Sequence, residues 1–309
     1  MSLGLCCQYL EPIVKRNGTV EYKNSIGEKS LQLGRFRNNE YSLARIKETY
    51  MHNIVSHFAV VPKLLAQNIK SFRLSSSLLP LWDLNKHVFE SDLDLLSALG
   101  KLGELLTSNG IRVTTHPGQF TVISSDNPNV VRNSIAELEM HAWVFDRMGL
   151  SNTAYNAINI HGGKADRLKN IVGVYKSLPD NVRSRLTLEN DERCYGVDEL
   201  LKVHELTNVP IVFDSHHFTF NTNSMNFMQA YEASLGTWGN TKPLQHLSNT
   251  EPGNEKASFN IRRSHSQFIH HIPDMQLADI LANKIDVDVE AKQKNLAIAQ
   301  IKRDFAISE

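Results

Sequence analysis

The sequence predicts a single (β/α)₈ barrel, and three observations predict it. Short runs rich in β-branched residues alternate with longer amphipathic stretches along the chain, the rhythm of parallel strands and covering helices. The 309 residues fall within the range of one such barrel, and no low-complexity linker or repeat divides them, so 1–309 reads as one domain. Residues able to ligate a metal recur at the C-terminal ends of the strands, which in a barrel converge on one mouth. An open doubly wound sheet is the alternative, although no Gly-rich phosphate loop follows the first strand.

The first strand is expected near Leu3–Tyr9, followed by a polar loop to about Arg37. Leu43, Ile46, Tyr50, Ile54, Phe58 and Val61 mark one helical stripe that continues to Leu65. Ser71–Ser75 is the second strand. Asp92–Ser108 is an amphipathic helix closed by Asn109-Gly110, residues suited to a left-handed C-cap. The third strand, Ile111–His116, runs into Pro117-Gly118, and a long helix covers Asn129–Met148. The fourth strand, Ala157–His161, ends at Gly162-Gly163 and leads to a helix near Asp166–Ser177. Then come the fifth strand Arg185–Asn190, a helix over Asp198–Leu206 and the sixth strand Pro210–Asp214. A helix near Ser224–Leu235 precedes the seventh strand, Pro243–Leu247. The polar segment Asn249–Arg263 is too long for a simple connection, and such loops in compact domains are functional or disordered. The eighth strand, Ile285–Val289, leads into a helix over Glu290–Asp304.

Hydrophobic residues make up 41% and charged residues 21%, enough to bury a large core. Lys plus Arg equals Asp plus Glu at 33 each, so no net charge advertises nucleic acid, although a basic patch on one face is invisible to that sum. Cys6, Cys7 and Cys194, with no Cys-x-x-Cys, argue against a disulfide framework and for a reducing compartment. No apolar run approaches the roughly 18 residues that span a membrane, and the N-terminus is too short and uncharged for a secretory signal. The expectation is a cytoplasmic protein, monomeric and without an obligate protein partner.

The strand ends carry the chemistry. His116 closes the third strand, His161 the fourth, Glu189 the fifth and Asp214 the sixth, with His217 just beyond. His246 lies on the seventh strand and Glu290 ends the eighth. Strand parity sends these residues to one place. Ile158 and Ile160 share a face, so Asn159 and His161 share the other; Leu186 and Leu188 likewise oppose Thr187 and Glu189, and Val287 and Val289 oppose Asp288 and Glu290. Alone, each residue reads as a hydrogen-bonded histidine or a solvated or capping carboxylate. Together, buried carboxylates need compensating charge, and no matching Lys or Arg set supplies it. Mixed imidazole and carboxylate donors without thiolates favour Mn²⁺, Zn²⁺, Fe²⁺ or Mg²⁺, and the set suffices for two or three ions.

These motifs resemble the UV damage endonucleases, relatives of endonuclease IV among the xylose-isomerase-like barrels. The resemblance rests on Arg73-Leu-Ser-Ser76 with Pro80, His116-Pro-Gly-Gln-Phe120, Asn159-Ile-His-Gly-Gly163 and Leu188-Glu-Asn-Asp191. It continues through Phe213-Asp-Ser-His-His217, His246-Leu-Ser248, His265-Ser-Gln-Phe268 and Glu290-Ala-Lys292, so it covers most of the chain. It implies a metal-dependent DNA repair endonuclease that nicks 5′ to cyclobutane dimers, 6-4 photoproducts and abasic sites in damaged double-stranded DNA, usually with Mn²⁺. The implied ligands are His116, His161, Glu189, Asp214, His217, His246, His265 and Glu290, with Glu189 central to catalysis. Gln119 and Phe120 match the pair that wedges into the duplex at the lesion, a role suited to a planar ring beside a polar neighbour. Plain core packing is the other reading of Phe120.

The chain also departs from the family. A Lys that the family commonly carries two residues before the seventh-strand His is Leu244 here, and Lys242 lies about 7 Å deeper along the strand. The family's Gly-Tyr-x-Cys start appears as Gly4-Leu5-Cys6-Cys7, and His87 is out of line with a family histidine. Arg262 and Arg263 read either as phosphate contacts or as a solvated pair; Lys15, Arg16, Arg35 and Arg37 are further candidates. Two other functions fit the pattern: a sugar isomerase or epimerase on the same barrel, and a metal-stabilised lesion binder that does not cleave.

Overall fold

Inside the computed structural model, which describes residues 2–222 and 224–307, parallel strands close into a barrel. Met1, Asn223, Ser308 and Glu309 lie outside the described residues. Strand β1 (Ser2–Cys6) is followed by a separate antiparallel pair, β2 (Leu10–Val14) and β3 (Val20–Asn24). The chain then returns to the barrel with β4 (Ser71–Leu74), β5 (Arg112–Thr115), β6 (Ile158–His161) and β7 (Leu186–Glu189). It finishes with β8 (Ile211–Asp214), β9 (Leu244–Leu247) and β10 (Asp286–Val289). Pairing of β1 with both β4 and β10 closes the ring in parallel register.

Each barrel strand is short, and alternation assigns its faces. Leu3, Leu5, Phe72, Val113, Ile158, Ile160, Leu186, Leu188, Val287 and Val289 point outward into the main apolar core, under the helices. Those helices start where the sequence supplies caps. Asp92 accepts hydrogen bonds from the amides of Asp94 and Leu95 to open Leu93–Ser108, and Asn127 with Pro128 opens Pro128–Arg147. These two helices cross closely at Gly103, where a Cβ would sit 1.8 Å from the carbonyl oxygen of Met148.

The inward faces stack in polar and apolar tiers. At the N-terminal end, Arg112 is fully buried, with Nη1 2.9 Å from Asp286 Oδ2. It also donates to the carbonyls of Tyr155, Lys242 and Ala154, and lies over the Tyr155 and Trp238 rings. Lys242 completes this floor with Nζ 2.6 Å from Asp286 Oδ1. Higher up, Asp288 accepts from Ser71 and Thr114, in room that Gly4 leaves free: a Cβ there would lie 2.2 Å from Asp288 Oδ1.

Several elements differ from the sequence expectation. The first strand stops at Cys6 because Cys7 takes a φ of 61°. The expected polar loop contains the β2–β3 hairpin, whose Val14, Val20 and Tyr22 are exposed, so no buried alternation announced it. The stripe from Leu43 divides into Leu43–Phe58 and Val61–Ala66, with Pro62 in the first turn of the second piece. The last helix begins at Lys294 instead of Glu290, and the short helices Trp82–Phe89 and Asp274–Leu281 were not foreseen.

His57, on Leu43–Phe58, is fully buried and donates from Nδ1 to the carbonyl of Asn53 at 2.7 Å. Burial pushes its pKa down from 6.5 to about 4, against the opposing effect of the Asn53 hydrogen bond. The folded protein therefore holds it neutral, and the unfolded chain binds a proton first. The resulting stability, about 3 kcal/mol, is complete above pH 6.5 and is lost as pH falls through about 4. His57→Gln should lose less stability than the parent protein between pH 7 and pH 4.5 in urea titrations. Equal losses would refute this account of His57.

Candidate metal centre

At the C-terminal mouth, the strand parity that lines the core with aliphatics turns a ring of imidazoles and carboxylates inward. His116 follows β5, His161 ends β6, Glu189 ends β7 and Asp214 ends β8. His246 sits within β9, and Glu290 follows β10. Asp214 also shapes the chain beyond it: its Oδ1 accepts from the amides of His216 and His217, both at 2.7 Å, capping the helical turn Ser215–Phe218. That turn brings the His217 ring back over the mouth, with Nδ1 3.2 Å from Glu189 Oε1.

Glu189 is the hub. His116 Nε2 lies 3.1 Å from its Oε2, His246 Nδ1 lies 3.1 Å from its Oε1, and Asn159 donates to Oε2 at 2.6 Å. Asn159 is itself held by the Thr187 hydroxyl at 2.9 Å. Three overlapping groups bring ligand atoms within 4.8 Å of one another: His116, His161 and Glu189; Glu189, Asp214 and His217; Asp214, His246 and Glu290. Glu189 and Asp214 each belong to two groups, an arrangement able to hold neighbouring ions through shared carboxylates.

The residues fit such ions. His161 Nδ1, Asp214 Oδ2 and His246 Nε2 are buried and lack a hydrogen-bond partner. Leaving a buried polar atom unpaired costs about 1–3 kcal/mol, and a cation taking the lone pairs removes that cost. All the donors are nitrogen or oxygen, the set that suits hard and borderline divalent ions.

Electrostatics tie the ring together. Burial would raise the Glu189 carboxyl, but His246, His161 and hydrogen bonds from His116 and His217 outweigh it and hold it well below the usual range. Glu290 is likewise lowered against burial, by Arg73, His246 and His265. Burial would lower His246, yet the facing Glu189 and Glu290 raise it to about 9. His217 is raised against burial by Asp214 and Glu189. His161, where burial outweighs Glu189, is lowered. Glu189 and Glu290 are therefore held as carboxylates, balanced by positive charge on neighbouring imidazoles or by cations in its place.

The other residues singled out in the sequence are scattered around this ring. His265 reaches it from the long loop, with Nε2 3.3 Å from Glu290 Oε2, but lies outside the three groups. A cavity of about 650 Å³ opens over the ring, lined by Gln119, Arg263, Lys164 and Arg73 among others. Phe120 stands beside it 83% exposed, which excludes a core role. Arg263 is paired with Glu192, and Arg262 stacks over Phe220 at 5.3 Å. Leu244 packs with Val212 and Trp238 in a small apolar cluster, and Lys242 is committed to the floor. His87 lies exposed on Trp82–Phe89, away from the cavity lining.

Three participants were given no role in the sequence reading, Arg73 and Asp191 having been named only within motifs. Arg73, at the mouth end of β4, forms an ion pair with Glu290. Asp191 accepts from the amides of Arg193, Cys194 and Tyr195, and Glu192 lies 3.8 Å from His217 Nε2. The inward parity of Ser71 and Arg73 was available as a signal; the two acidic residues sit in a loop with no periodicity.

Comparison with known proteins agrees with this geometry. A family model described as UV-endonuclease UvdE matches residues 14–309. The chain is 36% identical over 264 residues to a UV DNA damage endonuclease of Nostoc sp., covering 83% of this chain and 79% of that one. It is 34% identical over 267 residues to a UV DNA damage endonuclease of Deinococcus radiodurans, covering 84% of each. The crystal structure of SacUVDE superposes with a TM-score of 0.78 at 26% identity over 98% of each chain. An L-ribulose 3-epimerase, at 13% identity and a TM-score of 0.53 over 100% of this chain and 88% of that one, shares the barrel alone. The chain is an endonuclease and belongs to the UV-endonuclease UvdE family.

Proposed function

We propose that this chain nicks damaged double-stranded DNA on the 5′ side of UV photoproducts, cyclobutane dimers and 6-4 photoproducts, and at abasic sites. The observation that carries the reading is the ring of buried imidazoles and carboxylates around Glu189 under a cavity lined by Gln119, the neighbour in sequence of an exposed Phe120. His116, His161, Glu189, Asp214, His217, His246, His265 and Glu290 would hold two or three divalent ions, Mn²⁺ first among them, with Zn²⁺ and Mg²⁺ as alternatives. When bound, such ions supply an activated water and positive charge for the phosphate oxygens.

The protein's own residues do the positioning. Asn159 and Thr187 fix the Glu189 carboxylate, and the Asp214 cap fixes His217. Phe120 and Gln119 occupy the space that a displaced dinucleotide leaves in the duplex, while Arg262 and Arg263 approach neighbouring phosphates. An epimerase reading has only the shared barrel behind it.

The test is incubation of UV-irradiated and untreated plasmid with the protein and Mn²⁺. Irradiated plasmid should be relaxed and untreated plasmid should stay supercoiled. An irradiated plasmid left intact by fully metal-loaded protein would refute the reading, and retention without nicking would favour a lesion binder. Phe120→Ala should leave the melting temperature unchanged, because an exposed side chain contributes little to stability. It should reduce the preference for irradiated DNA by about tenfold or more, the worth of one stacking contact. Full preference in that variant would remove Phe120 from the lesion contact.

A further inference from the structure

Arg73 shares the inward face of β4 with Ser71, whose hydroxyl donates to Asp288 inside the barrel at 3.3 Å. One pleat further along the strand, the same direction delivers the Arg73 guanidinium to the mouth. There Nη1 pairs with Glu290 Oε1, and the side chain, only 12% exposed, lines the cavity over the ring. Its Nε is buried and has no acceptor.

The other cations around that cavity are differently placed. Lys164 is tied to Asp126 and Arg263 to Glu192, both at the exposed rim. Arg193 donates to Asn260 and stacks on Phe259. Among the described lysines and arginines lining the cavity, Arg73 is the one paired with a ring carboxylate.

A guanidinium carries five donors in one plane, and a contact with a single carboxylate oxygen leaves most of them unused. The fork matches two oxygens of a phosphate, and a fixed cation excluded from water acts most strongly where charge develops. We propose that Arg73 is a catalytic residue of the nicking reaction, binding the non-bridging oxygens of the scissile phosphate with the donors left free beside Glu290. In that reaction a water oxygen forms a bond to phosphorus as the bond from phosphorus to O3′ breaks. The proton released by the water is balanced by one taken up at O3′, leaving a 3′-hydroxyl and a 5′-phosphate. Arg73 neutralises the negative charge that builds on the non-bridging oxygens between these events. This inference rests on the reading of the mouth as the site of phosphodiester hydrolysis.

The alternative is that Arg73 serves only as a counter-ion for Glu290. A duplex with one cyclobutane dimer at a defined position separates the two, with kcat, KM and bound Mn²⁺ measured for the parent protein, Arg73→Gln and Arg73→Lys. Arg73→Lys keeps a charge beside Glu290 and loses the planar fork. Both variants should keep their metal and a KM within about threefold, with kcat down about 100-fold or more in Arg73→Gln and at least tenfold in Arg73→Lys. Guanidinium ion added to Arg73→Ala should restore part of kcat. Parent-like kcat in Arg73→Lys, or a loss of rate that only follows lost metal, would overturn the proposal. A parent protein that does not nick would overturn the endonuclease reading and this inference with it.

Discussion

Glu189→Gln should slow nicking of irradiated DNA by at least about a thousandfold, equivalent to about 4 kcal/mol of barrier. The change alters one atom, yet Glu189 meets His116, His217, His246 and Asn159 at once and joins two of the three groups of ligand atoms. A carboxamide offers one neutral oxygen where two anionic ones are needed, so both groups lose their shared member. Elemental analysis of the purified variant should show less bound metal alongside the lost rate. Circular dichroism should remain that of the parent, since the Asn159 and Thr187 contacts do not require the charge. Nicking at even a tenth of the parent rate would remove Glu189 from the centre of the chemistry.

Arg112→Met should cost about 3–5 kcal/mol of folding stability, the usual penalty for stripping one partner from a buried ion pair. Arg112 and Asp286 are both almost wholly excluded from water, and Arg112 alone satisfies carbonyls of Tyr155, Ala154 and Lys242. Replacing Asp286 with Leu in the same chain should recover part of the loss, because a buried carboxylate left with Lys242 as its ion-pair partner disappears. Urea unfolding measures both variants, and a single-variant cost below about 1 kcal/mol would contradict the role assigned to this floor. Nicking per folded molecule should be unchanged, since the floor lies at the opposite end of the barrel from the mouth.

The barrel and most of the ring were legible in the sequence for one reason: period two. Alternating Ile158 and Ile160 against Asn159 and His161, or Val287 and Val289 against Asp288 and Glu290, stated both where the strands ran and which side chains faced inward. Asp214 and His217 were readable because a β-branched run ended on a carboxylate with an imidazole three residues on; the cap that Asp214 makes for Ser215–Phe218 was not. The hairpin β2–β3 was not, because neither of its faces is buried and its exposed valines mimic a loop. Arg73 was seen only as part of a motif: the strand ends were searched for metal-binding residue types, and a guanidinium is not one. Glu192 and Asp191 could not be placed because only the folded loop brings them near His217 and His161.

The sealed floor has a further consequence for the substrate. With Arg112, Asp286 and Lys242 interlocked at one end and Leu244, Val212 and Trp238 packed beside them, the barrel is a cup and cannot act as a tunnel. No strand of DNA can thread through it, and whatever enters must leave by the same opening. A cavity of about 650 Å³ also has no room for an intact duplex. On the proposed function, the DNA would then have to offer a short stretch of its backbone over the rim. Damaged sites, where stacking is already weakened, yield that stretch at lower energetic cost than intact ones do. Selectivity for lesions can thus begin in the stiffness of the substrate, before any side chain reads the damage.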